Sequence, residues 1–233
     1  MEKKAFNIAI DGPAGAGKST IAKMVARKLG FVYVDTGAMY RAIALYFLKQ
    51  GIDVADRDLV CRDVKNVHIT IQYQDGVQQV ILNGADVSGE IRTEEVGNTA
   101  SVVSGYPAVR EHLLELQRGL AASQNVIMDG RDIGTCILPQ ADAKIFLTAS
   151  AHVRALRRFK ELEERGAACN LEEIERDIVE RDERDMNRAT APLMQAEDAV
   201  LVDSSAMNID QVVQAIIDTA VSHGLSLPDG EED

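Results

Sequence analysis

Short apolar runs alternate along the chain with longer stretches of helical periodicity. Residues 6–10, 31–34, 126–129, 144–147 and 199–202 read as strands. Residues 21–29, 38–49, 109–121, 152–164 and 209–221 carry apolar side chains at helical spacing. This alternation predicts an α/β chain with a mostly parallel central sheet and helices on both faces. Ligands in such folds bind beyond the carboxyl ends of the strands. Asp11, Asp35 and Asp129 fall at or just after those ends, although turns also favour aspartate.

One segment breaks the alternation. Residues 67–73 alternate apolar and polar, Asp75-Gly76 follows, and 77–82 is again strand-like. Asp-Gly between two such runs signals a hairpin. The pattern predicts an insertion over 63–104 carrying a small antiparallel sheet, within a core of residues 1–62 and 105–224. An edge hairpin of the main sheet is the competing arrangement. Asn170 with Glu173 resembles a capping box, and Asn208 with Gln211 does so more weakly. The acidic tail, residues 225–233, is expected to be disordered.

Chemistry enters between the first strand and the first helix. Gly12, Pro13, Ala14, Gly15, Ala16, Gly17, Lys18 and Ser19 fit G-x-x-x-x-G-K-[ST], and Thr20 continues the stretch. A polyphosphate needs many donors and few obstructing side chains, which glycine backbone provides. The helix beginning near Lys18 adds its positive dipole end. Lys18 can reach the β- and γ-phosphates of a bound polyphosphate, and the Ser19 hydroxyl can hold Mg2+.

The net charge of −12 over 233 residues argues against a nucleic-acid coat protein. It leaves room for a local basic pocket. Cys61, Cys136 and Cys169 are far apart and lack zinc spacing, so reduced thiols in a cytoplasmic protein are expected. No apolar run approaches a membrane span, and the first strand starts too early for a signal peptide. Nothing requires more than a monomer.

Beyond the loop, Arg41, Arg110 and Arg131 are candidate counter-charges for a second anionic substrate. Arg181, Asp185 and Arg188 share one helix face at i, i+4 and i+7. Several guanidinium groups converging on one point suit a monophosphate. By spacing alone the last three also read as a solvated ion-pair ladder, Arg131 and Asp132 as a turn, and Tyr40 as core.

The stretches 10–20, 35–41, 87–92, 129–135 and 181–188 together resemble the bacterial cytidylate kinases of the P-loop nucleoside monophosphate kinase group. The resemblance extends to about His223. It implies a P-loop kinase core, a monophosphate-binding insertion matching the hairpin segment, and a short helical lid near 152–168. It implies transfer of the ATP γ-phosphoryl group to CMP or dCMP with Mg2+, in pyrimidine metabolism. By position, Ser101, Arg110 and Asp132 would read cytosine, and Arg41, Arg131 and Arg188 would hold the acceptor phosphate. Arg181 and Asp185 would contact the sugar. Arg157 or Arg158 would reach the transferring phosphate from the lid. Thr36 stands where the family often has serine and retains the hydroxyl; Asp129 and Asp132 are both candidates to orient metal-bound water. A GTPase switch shares the loop, but its usual Asn-Lys-x-Asp signature is missing, because no Asn-Lys pair occurs.

Overall fold

The structure, a computed structural model, describes residues 5–227. Five parallel strands form the central sheet: β1 (Asn7–Asp11), β2 (Val32–Asp35), β6 (Val126–Gly130), β7 (Ala143–Thr148) and β8 (Val200–Asp203). Their spatial order is β2-β6-β1-β7-β8, and every neighbouring pair is parallel. All five expected strands form, each within a residue or so of its expected bounds.

Helices cover both faces because alternate strand residues point to opposite sides. Ile8 and Ile10 of β1 join Ile145 and Leu147 against α1 (Lys18–Leu29) and α8 (Ile209–Ser222). Ala9, Val34 and Met128 face the other way, toward α2 (Thr36–Gln50) and α5 (Pro107–Ala122). Ile8, Ile10, Phe47 and Met128 are fully buried. Each such side chain contributes about 1.5–3 kcal/mol on leaving water.

The hairpin does not extend the main sheet. After α3 (Arg57–Asp63), strands β3 (Ile69–Gln74), β4 (Val77–Leu82) and β5 (Ala85–Asp86) form a separate antiparallel sheet. Asp75 and Gly76 make the two-residue turn with φ of 52° and 74°, the positive pair that a type I′ turn demands. Val80 and Leu82 turn inward and share a buried cluster with Ile43 and Phe47 of α2. On that same face, at the start of β4, Gln78 meets the open edge of β2. Gln78 Oε1 accepts from Asp35 N at 2.8 Å and its Nε2 donates to Asp35 O at 3.2 Å. Tyr73 donates its hydroxyl to Tyr33 O at 3.1 Å. Helix α4 (Glu94–Val103) completes the segment and packs on α2.

Helices α6 (Ala151–Glu164) and α7 (Leu171–Asn187) pack together beyond the carboxyl end of β7. Asn170 caps α7 by accepting from Glu172 N and Glu173 N. The complete reciprocal box forms at Asn208 and Gln211, where the sequence signal is weaker. Residues 228–233 of the expected tail lie outside the described residues.

Candidate active site

The donor loop follows β1 and ends at Gly17, whose left-handed φ of 85° starts α1 with no side-chain cap and no acidic residue in its first turn. The first amides of α1 are therefore open to an external anion. Gly12 is dictated by space: a Cβ there would lie 1.9 Å from Leu147 O. Lys18 folds back over the loop, donating to Gly12 O and Pro13 O at 2.7 Å each. Burial, then repulsion from Arg131, pulls its ammonium pKa well down. Ala14, Gly15, Gly17, Lys18, Ser19 and Thr20 line a cleft of about 330 Å³. Gly12, Pro13 and Ala16 are buried beneath it.

Asp129, at the end of β6, is the cleft's acidic hub. Its Oδ2 accepts from Ser19 Oγ at 2.9 Å and its Oδ1 from Tyr33 at 2.9 Å. Burial raises its pKa to about 6, with Asp35 adding repulsion and Lys18 opposing. Thr36 Oγ1 donates to the Asp129 carbonyl at 2.8 Å. A hydroxyl beside a carboxylate is a hard-oxygen pair of the kind Mg2+ takes when most of its ligands are phosphate and water oxygens. No cluster of three His, Cys, Asp or Glu side chains suited to a metal occurs among the described residues.

Across the cleft, Asp132 is 3% exposed and lies between Arg110 and Arg188, the latter at 3.4 Å. Arg188 also donates to Ser104 Oγ at 3.2 Å. The Tyr40 ring packs 5.6 Å from the Arg110 guanidinium, so Tyr40 is at once buried and a wall of the cleft. Next to this group, Arg131 Nε donates to Asp185 Oδ2 at 3.0 Å, and Ser101 Oγ to Asp185 Oδ1 at 3.3 Å. The residues 181, 185 and 188 are thus not a solvated ladder: Asp185 and Arg188 spend their charges on partners from other elements.

The remaining guanidinium groups are crowded. Arg181 has a buried Nε without a partner, and burial followed by repulsion from Arg131 lowers its pKa to about 10. Arg41 is lowered mainly by burial, with Arg92 and Arg131 among its repulsive neighbours. It lies along α4, where a Cβ on Gly97 would stand 3.0 Å from its Nη1. Seven basic and four acidic side chains line the cleft. In a chain of net charge −12, this excess of cations marks an anion site.

Of the two lid candidates, neither lines this cleft. Arg157 turns toward Ser204, donating to its carbonyl at 2.8 Å. Arg158 pairs with Glu161 at 3.1 Å and borders a second opening of about 920 Å³, between α4 and the α6–α7 pair, with Ala14, Arg41 and Arg181. Arg154, which sequence pattern alone does not single out on α6, is 4% exposed. Its Nη1 donates to Ala14 O at 2.9 Å and to Asp182 Oδ1 at 3.1 Å, and its Nε donates to Ala149 O at 2.9 Å. It joins the donor loop to α6 and α7. Arg92, the last residue of the 87–92 stretch, pairs with Asp35 at 3.2 Å on the cleft wall.

The profile of the family described as Cytidylate kinase matches residues 8–222. A cytidylate kinase from Desulforamulus reducens is 53% identical over 210 residues, covering 90% of this chain and 94% of the relative. One from Shouchella clausii is 48% identical over 220 residues, covering 94% and 98%. One from Alkaliphilus metalliredigens is 50% identical over 210 residues, covering 90% and 94%. With the donor loop, the separate hairpin sheet and the arginine-lined cleft in place, these matches show that the chain belongs to the cytidylate kinase family.

Proposed function

We propose that this enzyme transfers the γ-phosphoryl group of ATP to CMP or dCMP, giving ADP and CDP or dCDP. The observation that carries the reading is the buried Arg110–Asp132–Arg188 group facing the P-loop across one cleft. A carboxylate flanked by guanidinium groups offers an acceptor beside donors. That pattern matches cytosine's amino group, ring nitrogen and carbonyl. Uracil turns the amino donor into an acceptor and sets a lone pair against the Asp132 charge.

The acceptor phosphate would lie toward Arg41, Arg131 and Arg188, with Arg181 and Asp185 at the sugar. An acceptor oxygen already ionised near neutral pH attacks in line, so no strong base is needed. Catalysis is then positioning and charge neutralisation. Lys18 and the α1 amides hold the donor phosphates; Ser19 and Asp129 are the residues suited to Mg2+. When bound, Mg2+ would supply charge neutralisation for the transferring phosphoryl group. Crowding among Arg41, Arg131 and Arg181 is relieved when two phosphate groups enter, which favours the doubly loaded state over either half. Residues 63–104 serve as the monophosphate-binding subdomain and residues 152–168, chiefly α6, as the lid. Arg158, bordering the second opening, is the better-placed lid arginine for the transferring phosphate. We read the protein as a cytoplasmic monomer acting in pyrimidine nucleotide metabolism. Among the described residues no helix is long and apolar enough to cross a membrane.

The test is ADP release from ATP–Mg2+ against a panel of nucleoside monophosphates. CMP and dCMP are expected to exceed UMP, AMP and GMP; equal rates across the panel would sink the proposal.

A further inference from the structure

Asp132 occupies the N-cap position of the π-turn Ile133–Ile137, yet its side chain makes no cap bond. Aspartate before a helical turn ordinarily folds its carboxylate onto the following amides. Here the first two of those amides are already taken. Ile133 N donates to Asp11 Oδ1 at 2.7 Å, and Gly134 N to Asp11 Oδ2 at 2.7 Å. Asp11 stands at the end of β1, on the strand beside β6, and is only 4% exposed. Space is reserved for the contact: a Cβ on Gly134 would lie 3.3 Å from Asp11 Oδ2 and 3.1 Å from Lys144 Cδ. Lys144 itself is held by Asp198 and Pro139 O, so it does not draw the Asp11 carboxylate away from the turn.

We propose that Asp11 is a positioning residue for base recognition: by capping the turn from β1, it leaves the Asp132 carboxylate free to face Arg110 and Arg188. The inference rests on the reading of Asp132 as the cytosine contact and extends it to a residue that touches neither substrate. Because Gly12 follows Asp11 directly, one strand end supports the donor loop through its backbone and the base-reading turn through its side chain.

Asp11→Asn tests this. The amide keeps the shape and one acceptor oxygen but presents NH2 to the second backbone N–H. The Asp132 carboxylate then has an unsatisfied amide to turn toward. Initial rates are measured with CMP and with UMP, varying each nucleotide and ATP in turn. The expected result is a KM for CMP raised about tenfold and a CMP-over-UMP ratio in kcat/KM lowered about tenfold, the worth of one charge-assisted hydrogen bond. The KM for ATP and the kcat at saturating CMP stay within about twofold. A uniform loss of kcat with the CMP-over-UMP ratio preserved would overturn the proposal, as would unchanged kinetics. If Asp11→Asn does not fold, Gly134→Ala crowds the same contact with the carboxylate retained. The same split between KM and kcat is expected, and its absence counts equally against the idea. An unmutated enzyme with no preference for CMP over UMP would remove the base-recognition reading itself. A preference that survives both substitutions removes only the role of Asp11.

Discussion

Replacing Arg154 with methionine isolates the clamp between donor loop and lid. The methionine fills much of the aliphatic volume but removes every donor. Asp182 then keeps a carboxylate that is 12% exposed, with its arginine partner gone. Breaking a buried pair from one side costs roughly 3–5 kcal/mol, and the residual exposure of Asp182 argues for the lower end, about 3 kcal/mol. For a chain of this size that corresponds to a melting temperature lowered by about 6–12 °C. Adding Asp182→Leu removes the stranded charge, and most of the stability is expected to return. The loop contact does not return, because Ala14 O has lost the donor that held it at 2.9 Å. A KM for ATP raised about tenfold is therefore expected in both the single and the double variant, from the loss of one charged hydrogen bond. Thermal melts and ATP saturation curves on the three proteins decide the matter. An Arg154→Met melt within about 2 °C of the parent refutes the buried-clamp argument. Full recovery of the ATP KM in the double variant refutes the coupling to the loop.

Asp132→Ala is expected to lower kcat/KM for CMP by about 100-fold or more, through loss of the base contact and the stranding of two guanidinium groups; near-normal CMP turnover removes Asp132 from the site. Gly12→Ala is expected to abolish ATP turnover and to destabilise by about 1–3 kcal/mol, since its Cβ would meet Leu147 O; denaturant titration checks the second part. Asp11 gives a pH prediction. Burial raises its folded pKa to about 6 from the usual 3.8, so the folded state holds a proton there that the unfolded chain has already lost. That preference stabilises the fold at low pH and fades as pH rises from about 4 to 6. Asp11→Asn does not titrate, so its stability relative to the parent is expected to improve by about 2 kcal/mol between pH 4 and pH 7. Paired denaturant titrations at the two pH values read the difference, and a flat difference contradicts it.

The central strands were legible because parallel strands buried on both faces leave continuous apolar runs, and the edge strand β8 because it keeps such a run although Val200 and Leu201 are exposed; the hairpin was legible because Asp75-Gly76 suits a tight turn. The donor loop was legible for the same reason: space at Gly12 and φ at Gly17 admit few other residues. What escaped notice depends on phase and partnership. Arg154, Arg157 and Arg158 lie within little more than one helical turn, and their side chains go to the loop, to Ser204 and to the second opening. At 100° per residue, Arg157 and Arg158 fall on either side of Arg154, so composition alone does not say which is buried. The role of Asp11 was equally hidden, because its partners are amides more than a hundred residues away.

Gln78 reaches across to the backbone of Asp35 and pairs with both its N–H and its carbonyl. One side-chain amide thus occupies part of the rim of the parallel sheet, where another chain would otherwise dock. It also makes the Asp35 amide proton a natural gauge. Its exchange with solvent requires the Gln78 amide to let go, so hydrogen exchange at this single position would time the parting of the β4 contact from β2 without any added label.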